Sequence, residues 1–291
     1  MGSETQWPEY IGRMQESEIE ISADRMKGLS ALLDYQKPPW PDGQVPLTGH
    51  WCAMFPYTQQ SILGHDGHEK LGEFFPPIQY PRRMWVGGRV RYIHSLPIGK
   101  LITHRSTIKN IVDKQGKGGP MTFVTLCHEY LQDDVLMLQD EQDIVYRDAS
   151  TASVKKPVIS VSEQSEQRHD CDWSRTIVPD STLLFRYSAV SFNSHRIHFD
   201  KDYVREEGYP GLLVHAPLTA TLLVDFYQRN NPGKKIRKFD YIAQNPLFEG
   251  YPLSIYGQQL KNGKVSLWAD DCEGTRSMTA ELETDKEKTS E

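Results

Sequence analysis

Long apolar runs are missing from this sequence. No stretch of about 18 consecutive hydrophobic residues occurs in it, so no helix is expected to span a bilayer. Cysteine is scarce. Cys52, Cys127, Cys171 and Cys272 lie far apart and form no C-x-x-C pair, which argues against a disulfide framework and reads as reduced thiols. Positive charge is not in excess either: 33 Lys and Arg stand against 39 Asp and Glu, for a net charge of −6. That balance disfavours nucleic acid or an anionic membrane as the main partner. The basic clusters PRRMWVGGRVR and NPGKKIRK still leave room for a smaller anionic ligand. There is no G-x-S-x-G nucleophile elbow, so a serine hydrolase of that kind is not expected. The start, MGSETQWPEYIGRMQESEIEIS, has no apolar signal core, and the end, DKEKTSE, is no peroxisomal address; the cytosol is the default expectation.

The 291 residues, 38% hydrophobic and 25% charged, suit one large folded domain or two ordinary ones. Between Asp148 and Ser181 the chain is polar, broken by prolines and without sustained periodicity, which reads as a connector. Within it, VISV has the composition of a short strand. The flanking units resemble each other. Each has a Tyr-Ile pair, then a Pro-hydrophobe pair (Pro97-Ile98, Pro246-Leu247), then a glycine (Gly99, Gly250). Alternating segments such as TFVTLCHEYL and VSLWAD follow, with the period of half-buried strands. We read a duplicated, mostly antiparallel sheet module: an N-terminal unit at 1–150, a connector at 151–180 and a C-terminal unit at 181–291.

Each sheet needs a cover for its apolar face. HAPLTATLLVDFYQRNNPG supplies one: Pro217 suits a first helical position, NNPG is a stop, and the apolar residues between surround the axis. A buried helix gripped by an antiparallel sheet is the hotdog architecture, and two copies make an α+β double hotdog. The first N–H groups of that helix have no intrahelical partner and suit a polarised carbonyl oxygen. Gly208 and Gly211 lead in and permit close backbone approach, and His215 precedes the helix as a packing or substrate-contact residue. Upstream, LLFRYSAVS is expected to be a strand that delivers NSHRIHFD, and FDKDYVREEG a short polar helix. H-x-x-H alone is too little for a zinc site. An acid/base role needs only one imidazole beside a substrate carbonyl.

The segment YSAVSFNSHRIHFDKDYVREEGYPGLLVHAPLTATLL resembles the MaoC-like hydratase/dehydratase family, in the branch of type 2 hydroxyacyl-thioester dehydratases and mesaconyl- and itaconyl-CoA hydratases. PPIQYPRRMWVGGRVRYIHSLPIGKLITHRSTI extends the resemblance into the first half. The resemblance implies reversible hydration of a 2-enoyl thioester, CoA-linked or carrier-linked, without metal or redox cofactor. It implies a homodimer, and a mitochondrial setting for some members. The family's D-x-N-P-x-H pattern falls on Asn193, His195, Arg196 and His198. His198 inherits the base role, Asn193 orients water or substrate, and His195 is the candidate second proton carrier. Ala216 stands where the family has glycine and supplies the oxyanion N–H; Tyr187, Arg196, Gly211 and His215 are candidate substrate contacts. The first half, where His65 and His68 share the same spacing, is read as a non-catalytic unit shaping the acyl pocket. Arg82 and Arg83, or Arg89 and Arg91, are candidates for a carboxylate or phosphate. The competing classes are a hotdog thioesterase and a thioester-binding module without turnover.

Overall fold

A computed structural model describes residues 5–53, 57–116, 119–148, 157, 171–261 and 263–285, so the VISV strand expectation lies outside the described residues. The N half contributes β1 (Met14–Glu20), β2 (Arg82–Tyr92), β3 (Leu101–Gly116), β4 (Gly119–Gln132) and β5 (Val135–Arg147). The C half contributes β6 (Trp173–Ile177), β7 (Ile236–Ala243), β8 (Leu253–Gln259), β9 (Lys264–Asp270) and β10 (Arg276–Thr284). Strand β6 lies inside the stretch read as connector and pairs with β8. All ten strands form one antiparallel sheet in the order β1-β3-β4-β5-β2-β7-β10-β9-β8-β6. The order is palindromic about the β2–β7 seam: β2 to β5 on one side match β7 to β10 on the other. The predicted alternation is present in β4, where Val124, Leu126, His128 and Tyr130 are buried in step.

Four α-helices are described: α1 (Ala23–Leu32), α2 (Ser181–Ser191), α3 (Lys201–Glu206) and α4 (Ala216–Asn230). In α4 every residue from Pro217 to Tyr227 is buried, as the apolar circumference predicts. Truncating one of its fully buried leucines, such as Leu223, would cost about 2–5 kcal/mol. The buried Asp225 is offset by Arg229 at 2.8 Å and by the Tyr35 hydroxyl at 2.7 Å, which ties the two halves together. The expectation of a strand in LLFRYSAVS is corrected, because that segment is α2. Asp180 caps it by accepting from the Leu183 N–H at 2.7 Å, and Leu184, Tyr187, Ser188 and Ser191 recur at helical spacing on the buried face. Strand alternation would have placed Phe185 with Tyr187, whereas Phe185 is exposed.

The duplication extends to individual backbone hydrogen bonds. Ser22 and Asp180 both cap a helix by accepting from the N–H three residues on. Both helices end at a left-handed residue, Asp34 (φ 61°) and Phe192 (φ 58°). The next N–H reaches back in each case, Tyr35 to Ser30 O at 3.0 Å and Asn193 to Ser188 O at 2.9 Å. Val45 donates to Leu96 O as Val214 donates to Leu247 O, both at 2.8 Å. Gly99 and Gly250, at φ 69° and 81°, donate to Ile21 O and Pro179 O. The two plans diverge just after these paired segments. After Val214 the chain enters the 15-residue α4; after Val45 it enters only a short 3-10 turn, Gly49–Ala53. With two differences among the described residues, one continuous sheet where two were expected and a short 3-10 turn in the N half where the C half has its long central helix, the double hotdog expectation is borne out.

Candidate active site

The αL cap at Phe192 ends α2 and turns the chain into the site. Asn193 is buried and its Oδ1 accepts from the His195 N–H at 3.0 Å, a local turn that leaves its side-chain NH2 as the group presented to the cavity. A 3-10 turn, Arg196–His198, then lifts His198 against the strand-like approach to α4. There His198 Nδ1 lies 2.8 Å from the Leu213 carbonyl oxygen. A carbonyl only accepts, so Nδ1 carries the proton and Nε2 keeps its lone pair. The ring is fixed from behind by His215, stacked at 3.5 Å between centroids with 19° between planes. His215 is held in turn by Ser188 Oγ, 2.9 Å from its Nε2.

A cavity of about 500 Å³ opens in front of these groups. Asn193, His195, His198 and Ala216 line it, so the structure brings together four residues singled out in the sequence. Ala216 begins α4, with Pro217 next, and the first-turn N–H groups have no intrahelical acceptor. The site therefore sets an imidazole lone pair, an amide donor and an electropositive helix start around one space. Tyr187, His215, Gly211 and Arg196 are not part of the cavity wall. Tyr187 and His215 pack behind it, edge to face at 5.0 Å. A Cβ added at Gly211 would meet nothing within 4 Å. Arg196 pairs with Asp200 at 2.7 Å, lies over the Tyr203 ring, and donates to His65 O at 3.1 Å.

Sequence reasoning set His68 aside, and the fold returns it. Residues 64–69 of the N half are stitched to 194–196: Arg196 N–H donates to Asp66 O at 2.9 Å, and Ser194 Oγ donates to Gly67 O at 2.5 Å. Gly67 sits at φ 89°, and a Cβ there would overlap the Ser194 carbonyl oxygen, so only glycine permits this approach. The docked loop puts the His68 ring 4.7 Å from that of His195, on the cavity wall. Arg83 of β2 joins the same wall. GHDGHE does mark a tight turn at 64–69, but nothing in the sequence says which surface that turn docks on.

Burial dominates the electrostatics. It pushes His198 down to about 3, with the neighbouring His195 adding and the Leu213 carbonyl opposing. It pushes His195 down to about 3 as well, and the Arg83 charge adds to that. His68 and His215 are also lowered, first by burial; Arg83 is the next cause for His68, and His198 for His215. These imidazoles are neutral at pH 7, the state a general base requires. Among the described residues no group of three or more His, Cys, Asp or Glu is placed to hold a metal ion.

The profile of the type 2 hydroxyacyl-thioester dehydratases matches residues 48–249. The chain belongs to that family. A mesaconyl-C(4)-CoA hydratase from Chloroflexus aurantiacus is 39% identical over 284 residues, covering 97% of this chain and 99% of the relative. A MaoC-like dehydratase from Phytophthora capsici superposes with a TM-score of 0.69 at 12% identity, covering 96% of each chain. A Mycobacterium tuberculosis protein described as having a double hotdog fold superposes at 0.57 with 11% identity, covering 94% of this chain and 96% of that one. The two structural likenesses speak to the fold. The family profile and the full-length relative speak to the chemistry. Among the described residues, no helix of this hydratase/dehydratase is long and apolar enough to cross a membrane.

Proposed function

We propose that the protein hydrates a short, branched 2-enoyl-CoA that carries a second carboxylate, the substrate type of mesaconyl-C4-CoA. The family makes it an acyl-thioester hydro-lyase, and the relative matched over almost its full length acts on that thioester by name. In such a substrate the β-carbon bears both the methyl and the free carboxylate. The observation that carries the mechanism is the hydrogen bond from His198 Nδ1 to Leu213 O, which aims an unprotonated Nε2 at the cavity beside the start of α4.

The thioester oxygen sits at the N–H of Ala216, where the helix start stabilises negative charge. Water is held between His198 Nε2 and the Asn193 amide. As its oxygen bonds to the β-carbon, its proton passes to Nε2 and the double-bond electrons move onto the thioester oxygen as an enolate. The enolate then takes a proton at the α-carbon, giving the 3-hydroxyacyl thioester. We assign both proton transfers to His198. The Leu213 carbonyl favours its protonated form, whereas the Arg83 charge opposes protonation of His195. Asn193 has no proton to exchange and acts by orientation. No metal or redox cofactor enters these steps.

The test follows loss of enoyl-thioester absorbance with mesaconyl-C4-CoA and crotonyl-CoA. Wild type turns over at least one of them, and His198→Ala lowers kcat by roughly 10²–10⁴-fold. Release of free CoA thiol in place of a hydroxyacyl product would make the enzyme a thioesterase and sink the reading.

A further inference from the structure

The arginines around β2 have different surroundings. Arg82 is buried against Glu207 at 3.0 Å. Arg89 holds Glu141 at 2.9 Å and Asp143 at 2.7 Å, and Arg91 holds Asp240 at 2.5 Å. Arg83 forms no ion pair among the described residues, and it lines the cavity. Its guanidinium lies over the Phe75 ring at 4.9 Å and the Tyr146 ring at 5.9 Å, which fixes its plane while leaving its N–H donors unspent. Its charge is felt by His195 and by His68. Arg147 shares the same wall, and its buried Nε has no hydrogen-bond partner among the described residues. Glu69 is the nearby carboxylate on this wall; burial raises its pKa and Arg83 opposes that rise.

We infer that Arg83, with His68 beside it, is the subsite for the free carboxylate of the acyl group, and that it selects dicarboxylic over alkyl enoyl thioesters. The inference rests on the hydratase reading above. A carboxylate on the β-carbon must lie within a few ångströms of the attacking water, and Arg83 acts electrostatically on His195 in that same space. A guanidinium fork matches a carboxylate in shape and charge. An alkyl acyl group in its place leaves the half-buried cation without a partner, which is the condition for strong discrimination. Pairing also withdraws negative charge from beside the β-carbon and so eases attack there. The N half thereby supplies specificity to a reaction whose base comes from the C half.

Four thioesters separate the possibilities: mesaconyl (C4) and crotonyl groups, each on CoA and on phosphate-free pantetheine. Wild type prefers mesaconyl on both carriers, by roughly 10²-fold or more in kcat/KM. Arg83→Gln removes most of that preference by lowering mesaconyl turnover while leaving crotonyl turnover within about threefold, and Arg83→Lys restores part of it. If Arg83→Gln instead weakens both acyl groups on CoA and neither on pantetheine, Arg83 binds a CoA phosphate and the inference is overturned. Equal wild-type turnover of the two acyl groups overturns it without touching the hydratase reading, and needs no variant to fold. A folded wild type that hydrates none of the four overturns both.

Discussion

The two halves share a capped helix, a left-handed residue at its end and the same backbone return to a Pro–Gly turn, yet each buries its own kind of histidine cluster. In the C half, His198 gives one ring nitrogen to a backbone carbonyl, is stacked on His215, and stands at the start of a long helix. In the N half the cluster grows from the sheet. Ser106, His128 and Asp140 occupy neighbouring positions across β3, β4 and β5, with Ser106 Oγ 2.7 Å and His104 Nε2 3.2 Å from His128 Nδ1. Asp140 gathers the Trp51 N–H at 2.8 Å, the Gln142 amide at 2.7 Å and His50 Nε2 at 3.4 Å. The N half thus gathers its polar groups around a buried carboxylate, and Ser106, His128 and Gln142 of that group also line the cavity. The C half keeps a lone pair unspent and sets it near a helix terminus. Under the proposed mechanism a buried histidine becomes a base here through the partner of its other nitrogen and through the first-turn N–H groups of α4, which a short turn in that place would not supply.

Removing the N half's centre breaks the comparison most severely. Asp140→Ala leaves three donors buried around an empty position and is expected to destabilise the protein by about 3–5 kcal/mol in denaturant unfolding. The folded variant retains its hydration kcat. Loss of kcat at unchanged stability would assign the N half's carboxylate to the chemistry and erase the contrast drawn above.

Much of this division was legible in the sequence. Pro217, the apolar circumference of residues 218–226 and the NNPG stop specify α4, and the order Asn193, His195, His198 places the site. Segment 183–191 was misread because a short apolar run with serines fits both periods; the deciding signal was the cap at Asp180, three residues before Leu183. Arg83 was legible only as one of four arginines that could meet a carboxylate or phosphate, and His68 was read as part of a non-catalytic half. The placement of His68 depends on a loop from one half docking on the other, and a single sequence records no contact at that separation. The N-half cluster did leave a trace: His104, Ser106, His128 and Asp140 occupy inward positions of otherwise apolar alternation, which signals a buried polar network.

A pH titration sharpens the comparison with a smaller effect. Burial lowers His104 to about 3 and His128 to about 4 in the N half, alongside His195 and His198 at about 3 in the C half. Each unfolds to an ordinary value of about 6.5. Between these limits the unfolded chain binds more protons, so stability is fully present above pH 6.5 and is lost as pH falls toward 3. Melting temperature should therefore drop steadily from pH 7 to pH 5, while the hydration rate of the folded enzyme shows no acid limb in that range. His104→Gln should flatten the melting curve's slope and leave the rate profile alone, whereas His198→Gln should change both. A rate limb near pH 6.5 would mean that the base is far more hydrated than its burial implies.

The smallest effect tests the join between the halves. Gly67→Ala forces a side chain onto a residue at φ 89° and against the Ser194 carbonyl, at a cost of about 1–3 kcal/mol that the chain can relieve by lifting residues 64–69. Lifting that loop takes His68 from beside His195 but leaves the His198–Leu213 hydrogen bond and the start of α4 in place. The expected outcome is a KM for mesaconyl-C4-CoA raised by roughly tenfold, with kcat nearly preserved, as for loss of an interaction made equally in ground and transition states. A kcat reduced as severely as in His198→Ala would place His68 among the groups that move the proton, and the N half would then share the chemistry as well as the specificity.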